Sequence, residues 1–75
     1  MKAKITITLK AGVLDPQGKA VQHALASLGF GEVQDVRVGK YIELELSQNS
    51  EPRVKEMCEK LLANTVIESY RFEME

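Results

Sequence analysis

Few side chains in this 75-residue sequence are equipped for chemistry. It holds one cysteine, Cys58, one histidine, His23, and no tryptophan. Covalent catalysis needs a base oriented beside a serine or cysteine nucleophile. His23 falls off the apolar stripe of its predicted helix and Cys58 falls inside the stripe of another, so they make no such pair. A soft-metal site needs paired ligands, and there is no second cysteine or histidine. No glycine-rich phosphate loop of the P-loop type is present. The informative stretch is residues 9–18, Leu-Lys-Ala-Gly-Val-Leu-Asp-Pro-Gln-Gly, where a strand should end and a helix begin. Asp15 is placed to cap that helix, its carboxylate accepting from free backbone N–H groups. Pro16 suits the first helical position, where no N–H is missed. Gly12 and Gly18 are the loosest backbone positions nearby. A glycine in a first helical turn costs about 1 kcal/mol against alanine, so Gly18 reads either as a tolerated glycine in a plainly capped helix or as a place where something packs closely on the backbone.

Composition narrows the function classes. Ten basic residues face eleven acidic ones, a net charge of −1, which argues against nucleic acid and against a polybasic membrane anchor. No apolar run approaches a membrane span or a signal sequence. A single cysteine cannot form an internal disulfide, and the expected location is cytoplasmic. The length suits one domain, residues 1–75, that buries only roughly 60 % of its unfolded surface. So thin a core favours burial against another chain.

The elements that position the joint follow from periodicity. Residues 2–10 alternate, with Ala3, Ile5, Ile7 and Leu9 on one face and Lys2, Lys4, Thr6, Thr8 and Lys10 on the other, a strand with one buried side. Residues 16–28 predict a helix with Ala20, Val21, Ala24, Leu25 and Leu28 on one stripe, closed by Gly29. Residues 33–46 predict a hairpin around Gly39-Lys40. A two-residue loop fits a type II′ turn but pairs Val38 with Tyr41 and Val36 with Glu43. A three-residue loop pairs Val38 with Ile42, Val36 with Leu44 and Arg37 with Glu43, and is the preferred register. A second helix follows Asn49 or Ser50 as cap, with Val54, Met57, Cys58, Leu61 and Leu62 on its stripe. Cys58 should be a buried, inert thiol. Asn64 can close that helix in the left-handed conformation. Residues 66–75 predict the last strand, with Tyr70, Phe72 and Met74 on one face.

The predicted fold is α+β, a ferredoxin-like βαββαβ arrangement with a four-stranded antiparallel sheet and two helices on one face. The far face is polar except for Tyr41, with Val33 and Ile67 as further candidates; Ile67, on the opposite parity from Tyr70, either precedes the regular strand or covers the far side. These exceptions point to self-association through the sheet. The residues alone favour a non-catalytic interaction module, with an ACT-like regulatory ligand-binding module as the alternative.

Residues 10–19, Lys-Ala-Gly-Val-Leu-Asp-Pro-Gln-Gly-Lys, with Ala24-Leu25, Leu28-Gly29-Phe30, residues 36–40 and residues 61–64 followed by Val66-Ile67-Glu68, closely resemble the PurS family. Thr65 departs from the family's usual proline. PurS is the small subunit of phosphoribosylformylglycinamidine synthase, in purine biosynthesis. The resemblance implies a chain without catalytic residues that dimerises, or pairs further into a tetramer. It implies partnership with a synthetase subunit, PurL, and a glutaminase subunit, PurQ, so that ammonia from glutamine reaches the ATP-dependent amidation of formylglycinamide ribonucleotide. No cofactor is expected on this chain; ATP and Mg would serve the complex. Lys10, Gly12, Asp15, Gly18, Arg37, Gly39 and Lys40 are the expected partner-facing residues, because bare backbone and flexible cations suit close docking.

Overall fold

The alternation of residues 2–10 becomes the central strand, β1 (Lys2–Leu9), of the computed structural model, which describes residues 1–75. Two antiparallel neighbours flank it in the order β2-β1-β3: β2 (Lys40–Glu45) and β3 (Glu68–Met74). Ile5 lies opposite Ile42 on one side and Phe72 on the other, so one face of the sheet is apolar. On the reverse face Lys4 lies between Glu43 and Glu73. There Lys4 Nζ reaches Glu75 Oε2 at 2.7 Å and Lys2 Nζ reaches Glu43 Oε2 at 3.5 Å. The hydrogen bond between Lys4 and Glu75 raises the lysine pKa and lowers the carboxylate's. Such exposed pairs add little stability, so burial on the other face holds the sheet.

That burial comes from α2 (Glu51–Met57) and the π-helical turn that continues it, Cys58–Leu62. Val54 and Cys58 are completely buried against Ala3, Ile5 and Ile7, with Ile42, Leu44, Tyr70, Phe72 and Met74 around them. The Cys58 thiol is pushed up in pKa by burial and by nearby Glu59, as the apolar stripe led one to expect. Ser50 occupies the cap position of α2 without a side-chain cap bond, and Pro52 sits in the first turn. Ala63 N–H donates to the Cys58 carbonyl at 2.9 Å, the wide i to i−5 spacing of a π turn. Ala63 is extended and no non-glycine residue has positive φ, so Asn64 does not take the left-handed position expected of it. Instead its Oδ1 accepts from Val66 N–H at 3.1 Å.

The other helix, α1 (Pro16–Ser27), begins and ends as its sequence requires, at the Asp15 cap and at Gly29 with φ of 98°. Phe30 N–H closes it by donating to the Leu25 carbonyl at 2.9 Å. It does not cover the sheet. Gly18 is its only buried residue, and Val21 and Leu28 remain 42 % and 72 % exposed. The expected four-stranded sheet with two helices on one face is therefore corrected to three strands covered by α2 alone. The missing strand is residues 33–38, which pair with no strand and run beside α1 instead of folding back on β2. A II′ turn needs positive φ at its first central residue. Only Gly12 and Gly29 have positive φ, so Gly39 makes no such turn, and because β2 pairs only with β1 the preferred three-residue register is not formed either. Val33 lies outside the sheet and Ile67 precedes β3, the first of its two expected places, leaving Tyr41 as the far face's one large apolar group. With α1 projecting, the chain measures 48 × 24 × 14 Å and its radius of gyration is 15.6 Å. A compact chain of this length would have about 11 Å.

The core is small enough that one methyl matters. Ile5→Val should cost about 1 kcal/mol and Ile5→Ala about 2–5 kcal/mol, the latter a large part of the total stability. Urea unfolding followed by far-ultraviolet circular dichroism measures both.

Candidate functional site

The chain between β1 and α1 is tied to residues 36–39 through one carboxylate and one guanidinium. Asp15 is 4 % exposed. Its Oδ1 accepts from Gly18 N–H at 2.8 Å, the helix cap, and its Oδ2 accepts from Val38 N–H at 2.8 Å. From the other side Arg37 Nη1 donates to the Val13 carbonyl at 2.9 Å and Nη2 to the Lys10 carbonyl at 3.0 Å. Gly12, at φ 85°, makes the turn that brings those two carbonyls within reach of one guanidinium. Further along, Gln22 Nε2 donates to the Gln34 carbonyl at 3.0 Å. Residues 33–38 are thus strapped along α1.

The bareness of Gly18 is used here. A Cβ at Gly18 would lie 2.1 Å from the Val36 carbonyl oxygen. The close packing that a glycine in the first turn allows is packing on the chain's own backbone. Gly39 passes β1 in the same way: a Cβ there would lie 2.5 Å from the Ile7 carbonyl oxygen. Lys40 is exposed and its Nζ stands 3.6 Å from Glu68 Oε2. Lys10 is exposed, and its N–H donates to the Ile67 carbonyl at 2.8 Å.

The structure therefore gathers the seven singled-out residues at one end of the sheet. Asp15 and Gly18 are buried within the joint. Lys10, Gly12, Arg37, Gly39 and Lys40 reach its surface, beside a shallow groove lined by Leu9, Val13, Leu14, Val38 and Ile67. Sequence reasoning missed the acceptors and donors on the other side of the joint, Val36, Val38 and Gln34, because they act through main-chain atoms that any residue has. Gly18 was the available signal. Nothing reactive joins them: His23 is exposed on α1, Cys58 is buried under α2, and no three His, Cys, Asp or Glu side chains group to hold a metal ion.

Two tests follow from this geometry. Gly18→Ala should lower the melting temperature by roughly 5 °C or more, because the helix and residues 36–38 must move apart to admit a methyl. Asp15 is held below the ordinary carboxylate value by its bonds to Val38 and Gly18, with Arg37 helping and burial opposing. A carboxylate more acidic folded than unfolded stabilises the fold above its unfolded pKa and loses that contribution as pH falls through the folded value. Melting temperature should therefore drop on acidification below about pH 4, and Asp15→Asn should melt lower at pH 7 and lose that part of the acid dependence.

Residues 2–75 match the family described as PurS: Phosphoribosylformylglycinamidine (FGAM) synthase. The phosphoribosylformylglycinamidine synthase subunit PurS of Bacillus subtilis (strain 168) is 61 % identical over 77 residues, covering 99 % of this chain and 92 % of the relative. The corresponding subunit of Methanocaldococcus jannaschii is 45 % identical over 78 residues, covering 99 % and 94 %. The solved structure of B. subtilis PurS superposes with a TM-score of 0.91 over 99 % of this chain and 96 % of that one, at 61 % identity. A chain in the structure of PurLQS from Thermotoga maritima superposes with a TM-score of 0.81 at 32 % identity, over 96 % and 93 %. This chain belongs to the PurS family, the PurS subunits of phosphoribosylformylglycinamidine synthase.

Proposed function

We propose that residues 1–75 act as one non-catalytic unit that assembles phosphoribosylformylglycinamidine synthase in the cytoplasm. Its partners are a synthetase subunit of the PurL type, a glutaminase subunit of the PurQ type and a further copy of itself. The observation that carries this reading is likeness over nearly the whole chain to a subunit solved within PurLQS of T. maritima. Burial of the one thiol, Cys58, under α2 is consistent with it. The chemistry then belongs to the partners. Glutamine releases ammonia on the glutaminase, and the synthetase uses ATP and Mg to amidate formylglycinamide ribonucleotide. The small subunit holds the two so that ammonia passes between them.

The joint supplies the docking surface in this reading. Asp15 and Gly18 make it stiff, while Lys10, Arg37 and Lys40 present cations around the groove at the end of the sheet. A preformed surface loses little ordering entropy on binding. Self-association is supported by exposed apolar groups away from that end. Leu28, Phe30 and Leu61 are 72 %, 49 % and 83 % exposed, a large proportion for a chain with so small a core.

Reconstitution tests this directly. With purified synthetase and glutaminase subunits, adding this chain should raise glutamine-dependent product formation and leave ammonia-dependent formation unchanged. Lys10→Ala combined with Lys40→Ala should fold normally and lower the glutamine-dependent rate at least tenfold at limiting subunit concentration. Full glutamine-dependent synthesis without the chain would overturn the reading.

A further inference from the structure

The groove at the end of the sheet is more apolar than the joint's own construction requires. Leu14 lines it and stays 72 % exposed, although it stands between two fixed points, the Val13 carbonyl held by Arg37 and the Asp15 cap. Ile67 also lines it at 39 % exposed, and Val66 next to it is 81 % exposed. Lys10 N–H donates to the Ile67 carbonyl at 2.8 Å, which holds that corner against the joint. One exposed leucine is ordinary, but apolar groups gathered on a rigid rim mark a contact surface. The open space between them is about 330 Å³.

The charged groups around this groove are unevenly used. Both carboxylates that line it are occupied by the chain's own donors. Asp15 accepts from Gly18 N–H and Val38 N–H. The Glu68 side chain, 13 % exposed, accepts from Asn64 N–H at 2.7 Å through Oε1, and its Oε2 stands 3.6 Å from Lys40 Nζ. Cationic donors are left over. The exposed Lys10 ammonium makes no ion pair, and Lys40 has protons beyond its one contact. A rim with spare cations and no spare carboxylate is complementary to a segment that brings carboxylates. A second copy docking through the same face would bring the same spare cations toward them, so the occupant is an unlike chain. We infer that the groove receives a short segment of a partner subunit in which an apolar anchor lies beside Asp or Glu. The anchor sits between Leu14 and Ile67, and its acidic neighbour meets Lys10 and Lys40. This rests on the assembly role proposed above and adds the chemistry of what is docked. Because Asp15 and Arg37 already fix the joint, the segment meets a surface that needs little ordering.

Photo-cross-linking tests the occupant. With p-benzoylphenylalanine in place of Leu14, the chain is mixed with purified synthetase and glutaminase subunits during turnover and irradiated. Mass spectrometry should find it joined to one partner segment in which an apolar residue lies within a few positions of Asp or Glu. A cross-link to a second copy, a cross-link to a segment without acidic residues, or no cross-link at all would overturn the inference. Leu14→Asp supplies a second readout. It should melt as wild type does, since Leu14 is 72 % exposed. It should still raise the concentration of this chain that half-saturates glutamine-dependent synthesis roughly tenfold or more, as loss of a buried anchor does, and leave the rate at saturation unchanged. If synthesis needs the chain but Leu14→Asp half-saturates like wild type, the groove assignment fails and the assembly role stands. If synthesis does not need the chain, both fail.

Discussion

The carboxylate of Asp15 carries the architecture. One oxygen starts α1 at Gly18 and the other holds Val38, so the same side chain decides where the helix begins and where the returning chain must run. A carboxylate bonded to two backbone donors in a site 4 % exposed is a strong, directional tie. It competes directly with the hairpin, because the Val38 N–H it occupies is no longer free to ladder with β2. Arg37 completes the constraint by gathering two carbonyls of the Gly12 turn into one fork. No buried side-chain polar atom is left without a partner, as a rigid joint in a thin structure requires.

From that tie follows a division of labour. The core formed by β1, β2, β3 and α2 is closed: Ile5, Ile7, Val54 and Cys58 are completely buried. The arm formed by α1 and residues 28–38 has good local structure and no core of its own. It is ordered by capping, by Gln22 and by the glycine contacts at positions 18 and 39. A small domain that leaves a helix stripe uncovered keeps apolar surface in water, and covering it in an assembly stabilises both partners.

Much of this was legible in the residues. The period-two run at residues 2–10, the stripe through Val54, Met57, Cys58, Leu61 and Leu62, the Asp15-Pro16 start and the Gly29 stop each predicted their element within a residue or two, although Leu61 is turned out of the core and stays 83 % exposed where the helix widens into the π turn. Gly18 left two readings open, and the structure takes the close backbone contact, with the Val36 carbonyl. What could not be read was whose surface an apolar stripe covers. Val21, Leu25 and Leu28 form the same pattern whether they meet their own sheet or another chain. The hairpin failed for a related reason. Gly39-Lys40 is a good turn by composition, but the choice between turn and extension rests on a long-range bond from Asp15 to Val38, and periodicity carries no long-range information. Asn64 was misread because the helix widened into a π turn and left it outside the left-handed position. As for the residues proposed for docking, Lys10, Gly12 and Lys40 could be named from type, but burial of Asp15 depends on Val38, 23 residues on, and that of Gly18 on the distant segment at Val36.

The order of strands has a consequence for biosynthesis. The middle strand is the first of the three in the chain, and its pairing with β3 joins Ala3 to Met74. As the polypeptide leaves the ribosome, Ile5 and Ile7 must therefore wait for nearly seventy further residues before both of their edges are covered. A short β-branched run left open for that long invites aggregation. Lys2, Lys4 and Lys10 sit within and beside it, and their repulsion discourages nascent chains from pairing with one another. The lysines that add little to the finished molecule guard it while it is being made.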